Sequence, residues 1–125
     1  MILGCGVDIV KISRIERALE RFGKRFLLRV YCPEEIDHCL KKSNPYPSLA
    51  GRFAAKEAFV KAIGTGFRKG IRLKQICILN DKLGAPRLYL LDKAEKYFLK
   101  RCCKRVFVSI SHEREFAIAI VILEG

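Results

Sequence analysis

Residues 1–10 alternate along the chain so that Leu3, Cys5, Val7 and Ile9 share one face of a strand and Gly4, Gly6 and Asp8 share the other, which is almost bare of side chains. Ser13 followed by Glu16 has the form of a capping box, and Ile15, Leu19, Phe22 and Phe26 recur at helical spacing after it. Gly23 sits inside that helix as a stop or a bend. Pro33, Glu34 and Glu35 suit the first turn of a second helix that fades near Ser43, before the loop Asn44-Pro45-Tyr46-Pro47. Ser48 is placed to cap a third helix, with Leu49, Phe53, Val60 and Ile63 as its apolar positions and Gly64 as its stop. Strands follow around residues 76–79 and 87–90, with a turn at 80–84 between them. Asp92 and Glu95 open a further helix through Cys103, and strands near 106–111 and 116–123 close as a hairpin. Helices and strands mix without regular alternation, which predicts an α+β fold with a small, mainly antiparallel sheet packed on helices. With 125 residues and no linker or internal repeat, the chain reads as one domain over residues 1–125.

Composition changes this picture through charge alone. Lys and Arg number 25 against 13 Asp and Glu, a formal net charge of +12. Such an excess implies an anionic partner: nucleic acid, a membrane face, polyphosphate or an acidic protein. The longest apolar run, Phe116 to Leu123, is far short of the roughly 20 residues that span a bilayer, so the chain is expected to be soluble. The apolar start lacks a basic segment and contains Asp8, unlike a signal peptide. Six cysteines without a C-x-x-C pair, and only two histidines, make no zinc pattern and suit free thiols in a reducing cytoplasm.

Candidate chemistry begins with Asp8. A carboxylate before Ile9 and Val10 needs a cation, and Gly4 and Gly6 beside it leave room for a ligand to approach the backbone; the alternative reading is an acid that marks the strand end and caps a turn. Glu57 and Lys61 are four residues apart on one helix face, with Arg52 and Lys56 on its flank. Taken alone, Glu57 and Lys61 describe an ordinary surface pair. Gly64-Thr65-Gly66 at the helix end would let a ligand come close while Lys61 neutralises it. Two carboxylates and a lysine suit magnesium-assisted phosphoryl chemistry. His112 ends a strand at a turn, as a phosphate contact, an acid or base, or a solvated side chain. Ser109 and Ser111 have outward strand positions open to them. On the first helix Arg14, Arg17, Arg21 and Lys24 form a basic stripe.

Read together, Gly4-Cys5-Gly6-Val7-Asp8-Ile9-Val10, the block from Ala50 to Ala58, Lys61, Gly64-Thr65-Gly66, the turn from Asp81 to Pro86 and Val108 to Glu113 resemble the holo-acyl-carrier-protein synthase branch of the phosphopantetheinyl transferases. The resemblance implies transfer of 4'-phosphopantetheine from coenzyme A to a serine of apo acyl carrier protein, with release of adenosine 3',5'-bisphosphate, in support of fatty acid biosynthesis. It implies Asp8 and Glu57 as Mg²⁺ ligands and, with Lys61, as catalytic residues. For coenzyme A it implies Arg52, Lys61, Gly64, Thr65, Pro86 and His112, with Lys41 and Lys42 in a basic loop for the 3'-phosphate. Arg14, Arg21 and Arg25 become the docking contacts for the acidic carrier. A homotrimer with active sites between subunits is implied, with no nucleic acid and no membrane as partner. The general base stays open among Glu57, Asp37 and metal-bound water. The cysteines Cys32, Cys39, Cys102 and Cys103 stand outside the family pattern and are given packing roles.

Two other classes compete. A nucleic-acid-binding module would use the cations interleaved with Phe22, Phe26 and Tyr31, but no RNP-type motif accompanies them. A magnesium nuclease would use the same acids, although the spacing of Glu57 and Lys61 differs from the E-x-K of such enzymes.

Overall fold

A computed structural model describes residues 1–67 and 69–125. Its elements are β1 (Ile2–Lys11), α1 (Ile12–Phe22), α2 (Lys24–Val30), α3 (Pro33–Leu40), α4 (Tyr46–Ile63), a 3-10 turn (Leu73–Gln75), β2 (Ile76–Asn80), β3 (Pro86–Leu90), α5 (Asp92–Lys100), β4 (Arg105–His112) and β5 (Phe116–Glu124). The expected α+β class is observed. β5 is the central strand of an antiparallel sheet ordered β1-β5-β4, and β2 and β3 form a separate antiparallel pair.

α4 is the axis of the core. Ala50, Ala54, Ala55, Ala58, Phe59 and Ile63 are all buried, so apolar residues surround this helix rather than stripe it. It lies on the sheet face carrying Val10, Ala117, Ala119, Val121 and Leu123. Small residues permit a close approach here. A β-carbon at Gly6 would stand 2.0 Å from the Ala58 carbonyl oxygen, and one at Gly4 would stand 2.2 Å from that of Ala62. The bare face of β1 is therefore filled by helix backbone, which corrects the expectation that its glycines leave space for a ligand.

The other face of the sheet is apolar and open in this chain. Antiparallel register aligns Cys5, Ile122 and Phe107 in one row, Val7, Ile120 and Ser109 in the next, and Ile9, Ile118 and Ser111 in a third. Ile9 is 60% exposed and Val7 52%. Ser109 and Ser111 face outward here, as their alternate strand positions allow.

Several boundaries differ from the sequence reading for identifiable reasons. Ser13 does not cap α1: β1 runs straight into the helix, Lys11 is the N-cap, and the Ile12 amide donates to the Glu115 carbonyl (2.8 Å). Gly23, at φ 58° and ψ −137°, breaks the expected long helix into α1 and α2, a conformation that residues with a β-carbon rarely adopt. α3 stops at Leu40, before Ser43. α4 starts at Tyr46 with Pro45 as N-cap, because prolines at the first turn lack only amides that have no helical partner. Ser48 is its third residue, already within the first turn. α5 ends at Lys100, and Cys102 occupies an exposed turn at φ 62°, so it does not pack as expected.

Candidate functional site

The close packing of α4 on β1 decides where its polar residues fall. Ala58 and Ala62 sit over Gly6 and Gly4, so Glu57 and Lys61, each one residue earlier, reach the edge of β1 that carries Asp8. Lys61 Nζ donates to Asp8 Oδ1 at 3.1 Å and to the Val7 carbonyl at 3.0 Å. The surface pair between Glu57 and Lys61 does not form; Lys61 takes the strand acid instead. Burial pushes the Glu57 carboxyl above its ordinary range, the Asp8 charge pushes it further, and the Arg14 and Lys61 cations partly offset both. Arg14 on α1 stacks over the Phe53 ring, 5.5 Å from its centroid. Asp8, Glu57, Lys61 and Arg14 thus form one electrostatic cluster.

A second feature is a cleft of about 390 Å³ at the other end of α4. His38, Lys42, Arg52, Asn80, Pro86 and His112 line it, and no carboxylate does among the described residues. Both histidines of the chain are therefore in one cationic cleft. The His38 imidazole is held below its ordinary value by burial first and then by Arg52, Lys42 and Lys41, with Asp37 opposing them. Arg52 is buried and heavily used by the protein: Nε donates to the Ile78 carbonyl (3.2 Å), Nη1 to Ser48 Oγ (2.8 Å) and Nη2 to Asn80 Oδ1. The hairpin turn below Pro86 is held by Asp81, whose Oδ1 accepts from the amides of Leu83 and Ala85 at 2.9 Å each.

The expected coenzyme A residues do not come together within one chain. Arg52, Lys42, Pro86 and His112 share the cleft. Lys41 is exposed and paired with Asp37 at 3.1 Å instead. Gly64 and Thr65 lie past the far end of α4, about 20 Å along the axis from Gly51 at the usual helical rise. Asp8 and His112 are separated by β5, which sets their strands roughly 10 Å apart.

The basic stripe is also rearranged. Arg14 and Arg21 stay on α1, with Arg21 over the Phe22 ring at 5.2 Å, while the break at Gly23 carries Arg25 onto α2 beside Phe22 and Phe26. Lys24 leaves the stripe and turns to the groove between α2 and α3, where Asp37 also lies. Asp37 is thus placed on a different surface from Asp8 and Glu57.

Sequence reasoning missed His38, Asn80 and the buried pair of Glu35 and Lys56. The closeness in sequence of His38, in the last turn of α3, to Lys41 and Lys42 just beyond it was the available signal for the first. Lys56 was expected on a helix flank; it is fully buried, with Nζ 2.7 Å from Glu35 Oε1. Cys32, Glu35 and Cys77 place one ligand atom each within 4.8 Å of one another. Both Glu35 oxygens are already occupied, by Lys56, the Cys32 amide (2.9 Å) and the Ile78 amide (3.0 Å), and burial pushes both thiols up, which makes them poor metal ligands.

The chain matches the family model described as the 4'-phosphopantetheinyl transferase superfamily over residues 4–121. It is 50% identical over 124 residues to the holo-[acyl-carrier-protein] synthase of Halothermothrix orenii, covering 99% of this chain and 98% of that one. It is 46% identical over 125 residues to that of Syntrophus aciditrophicus, covering 100% and 98%. Among solved structures, the holo-[acyl-carrier-protein] synthase from Neisseria meningitidis superposes with a TM-score of 0.92 at 39% identity, covering 100% of both chains. The Helicobacter pylori holo-[acyl-carrier-protein] synthase in complex with coenzyme A superposes with a TM-score of 0.84 at 37% identity, covering 96% of this chain and 99% of that one.

Proposed function

This chain belongs to the 4'-phosphopantetheinyl transferase superfamily, and from that membership we propose that it is a holo-acyl-carrier-protein synthase acting in cytoplasmic fatty acid biosynthesis. It transfers 4'-phosphopantetheine from coenzyme A to a serine hydroxyl of apo acyl carrier protein, with residues 1–125 as the catalytic unit. The observation that carries this reading is the convergence of Asp8, Glu57 and Lys61 at the junction of β1 and α4.

The donor set fits a magnesium ion. Two carboxylates with hard oxygen atoms face each other closely enough for Asp8 to raise the proton affinity of Glu57, and such a pair is relieved by a divalent cation. Asp8 and Glu57 would hold the ion, which when bound supplies positive charge to the diphosphate of coenzyme A. Lys61 holds Asp8 in place through its hydrogen bond, and its ammonium is placed to meet charge that grows on the phosphate oxygens. The serine oxygen forms a bond to the β-phosphorus as the bridging bond to the nucleotide breaks; adenosine 3',5'-bisphosphate leaves with that electron pair, and the serine proton passes to a base, Glu57 or water. The cationic cleft of His38, Lys42, Arg52 and His112 suits the 3'-phosphate end of the nucleotide.

The cleft and the acid cluster flank α4 on opposite sides, so one coenzyme A molecule reaches both sets most simply across two copies. The open apolar sheet face of Val7, Ile9, Ile118, Ile120 and Phe107 supplies a surface on which copies pack. A homotrimer with its sites between subunits satisfies both features. Arg14, Arg21 and Arg25 offer the acidic carrier a cationic docking surface edged by Phe22 and Phe26.

Intact-mass spectrometry of apo acyl carrier protein incubated with the enzyme, Mg²⁺ and coenzyme A tests the reading. The carrier gains one phosphopantetheine; Asp8→Ala abolishes the gain. A carrier that keeps its mass across metals and concentrations refutes the assignment.

A further inference from the structure

Among the described residues β2 pairs with β3 along one edge only, and a strand edge inside a protein leaves amides and carbonyls that need partners. Charged side chains from α3 and α4 meet them. The Ile76 carbonyl accepts from Lys56 Nζ, the Ile78 amide donates to Glu35 Oε2 at 3.0 Å, and the Ile78 carbonyl accepts from Arg52 Nε at 3.2 Å. Lys56 gives its remaining protons to Glu35 Oε1 (2.7 Å) and the Leu73 carbonyl (3.1 Å), with the Tyr31 ring 5.5 Å from Nζ. These side chains stand where a third strand would. Well-packed apolar residues often match or exceed the stability of a buried ion pair, so stability alone does not account for this one. β2 runs on to Asn80, and with Pro86 that residue lines the cationic cleft.

We propose that the Glu35–Lys56 pair is a positioning element that sets the β2 wall of the cleft for coenzyme A, an inference that rests on the function proposed above. The pair touches neither substrate. It acts by fixing Ile76 and Ile78, and through them Asn80, against the helix that carries Glu57 and Lys61.

Three variants test this: Lys56→Met, Glu35→Gln and the double substitution, each assayed by melting temperature, by calorimetric titration with coenzyme A, and by KM for coenzyme A and for carrier. Each single variant melts lower, because one buried charge loses its partner, and binds coenzyme A at least about tenfold more weakly, a loss of about 1.4 kcal/mol, while the KM for carrier changes far less. In the double variant no lone charge remains and the melting temperature recovers, yet coenzyme A binding stays weak because the Ile76 carbonyl has lost its donor. Should either single variant fail to fold, the double variant carries the comparison. Recovery of coenzyme A affinity together with stability, or a parallel rise in both KM values, overturns the proposal. The titration needs no turnover, so a wild-type protein that binds coenzyme A without modifying a carrier counts against the proposed function and leaves the positioning role to be judged on binding.

Discussion

Gly6→Ala is the substitution whose effect follows most directly from the packing of α4 on β1. Its β-carbon would stand 2.0 Å from the Ala58 carbonyl oxygen, 2.8 Å from the Ala62 amide nitrogen and 3.0 Å from the Ala58 carbonyl carbon. A carbon and a carbonyl oxygen rest at about 3.3 Å or more, so the helix must retreat by about 1.3 Å or the strand must bend away by as much. The obstacle is main chain held in a helix, with no rotamer to escape into, which places the loss at the upper end of the overpacking range, about 3 kcal/mol. For a chain of this length that lowers the melting temperature by roughly 10 °C. The same displacement separates Asp8 from Glu57 and Lys61, and misplacing reacting groups by about 1 Å is enough to lower turnover on the order of a hundredfold. Differential scanning calorimetry and the carrier-modification rate measure the two effects. Ala58→Gly added to Gly6→Ala gives no rescue, since the carbonyl remains where it was. A single variant that melts within about 2 °C of wild type, or a rescue by Ala58→Gly, refutes the reasoning.

Glu57→Gln reports the crowding of the acid cluster. The folded-state carboxyl is raised above its ordinary 4.5, so between that value and the raised one the folded protein holds a proton the unfolded chain has lost, and stability falls as pH rises through the window. In metal-free protein the variant therefore gains stability relative to wild type as pH goes from acid to neutral, and Mg²⁺ stabilises wild type but not the variant; urea melts that run parallel at all pH values contradict this. Arg21→Glu is expected to raise the KM for carrier several-fold in low salt and leave that for coenzyme A alone; it separates docking from the acid cluster more cleanly than Arg14→Glu, since Arg14 also acts on Glu57. Ile9→Glu places a charge in the middle of the open sheet face, and analytical ultracentrifugation should show dissociated subunits with lost transfer; an assembly that keeps its size removes that face from the interface.

Much of this was legible because backbone period and chemistry agreed. The strand holding Asp8, the helix holding Glu57 and Lys61, and the closing hairpin all follow from local pattern, and the family resemblance named the acids that the structure brings together. Helix starts were not legible at Lys11, where the distant Glu115 carbonyl replaced the local cap that the sequence advertised, or at Pro45, where prolines in the first turn took the place of a side-chain cap. Lys56 was unreadable for the same reason: a lysine flanking a helix looks solvated until Glu35, 21 residues earlier, is seen to meet it. The direction of β1 misled in another way. Its apolar face points outward and its glycine face inward, since the helix backbone itself fills the space that side chains usually occupy.

The register that sets Asp8 against Ala119 has a bearing on how the molecule is made. β1 is separated from β5, its sheet partner among the described residues, by more than a hundred residues, so during synthesis it waits as an unpaired, largely apolar strand. Pairings so distant in sequence slow folding and lengthen the time in which sticky edges meet other chains. Newly made protein should accordingly depend on chaperones more than its small size suggests, and Asp8 should meet Glu57 and Lys61 only late in folding.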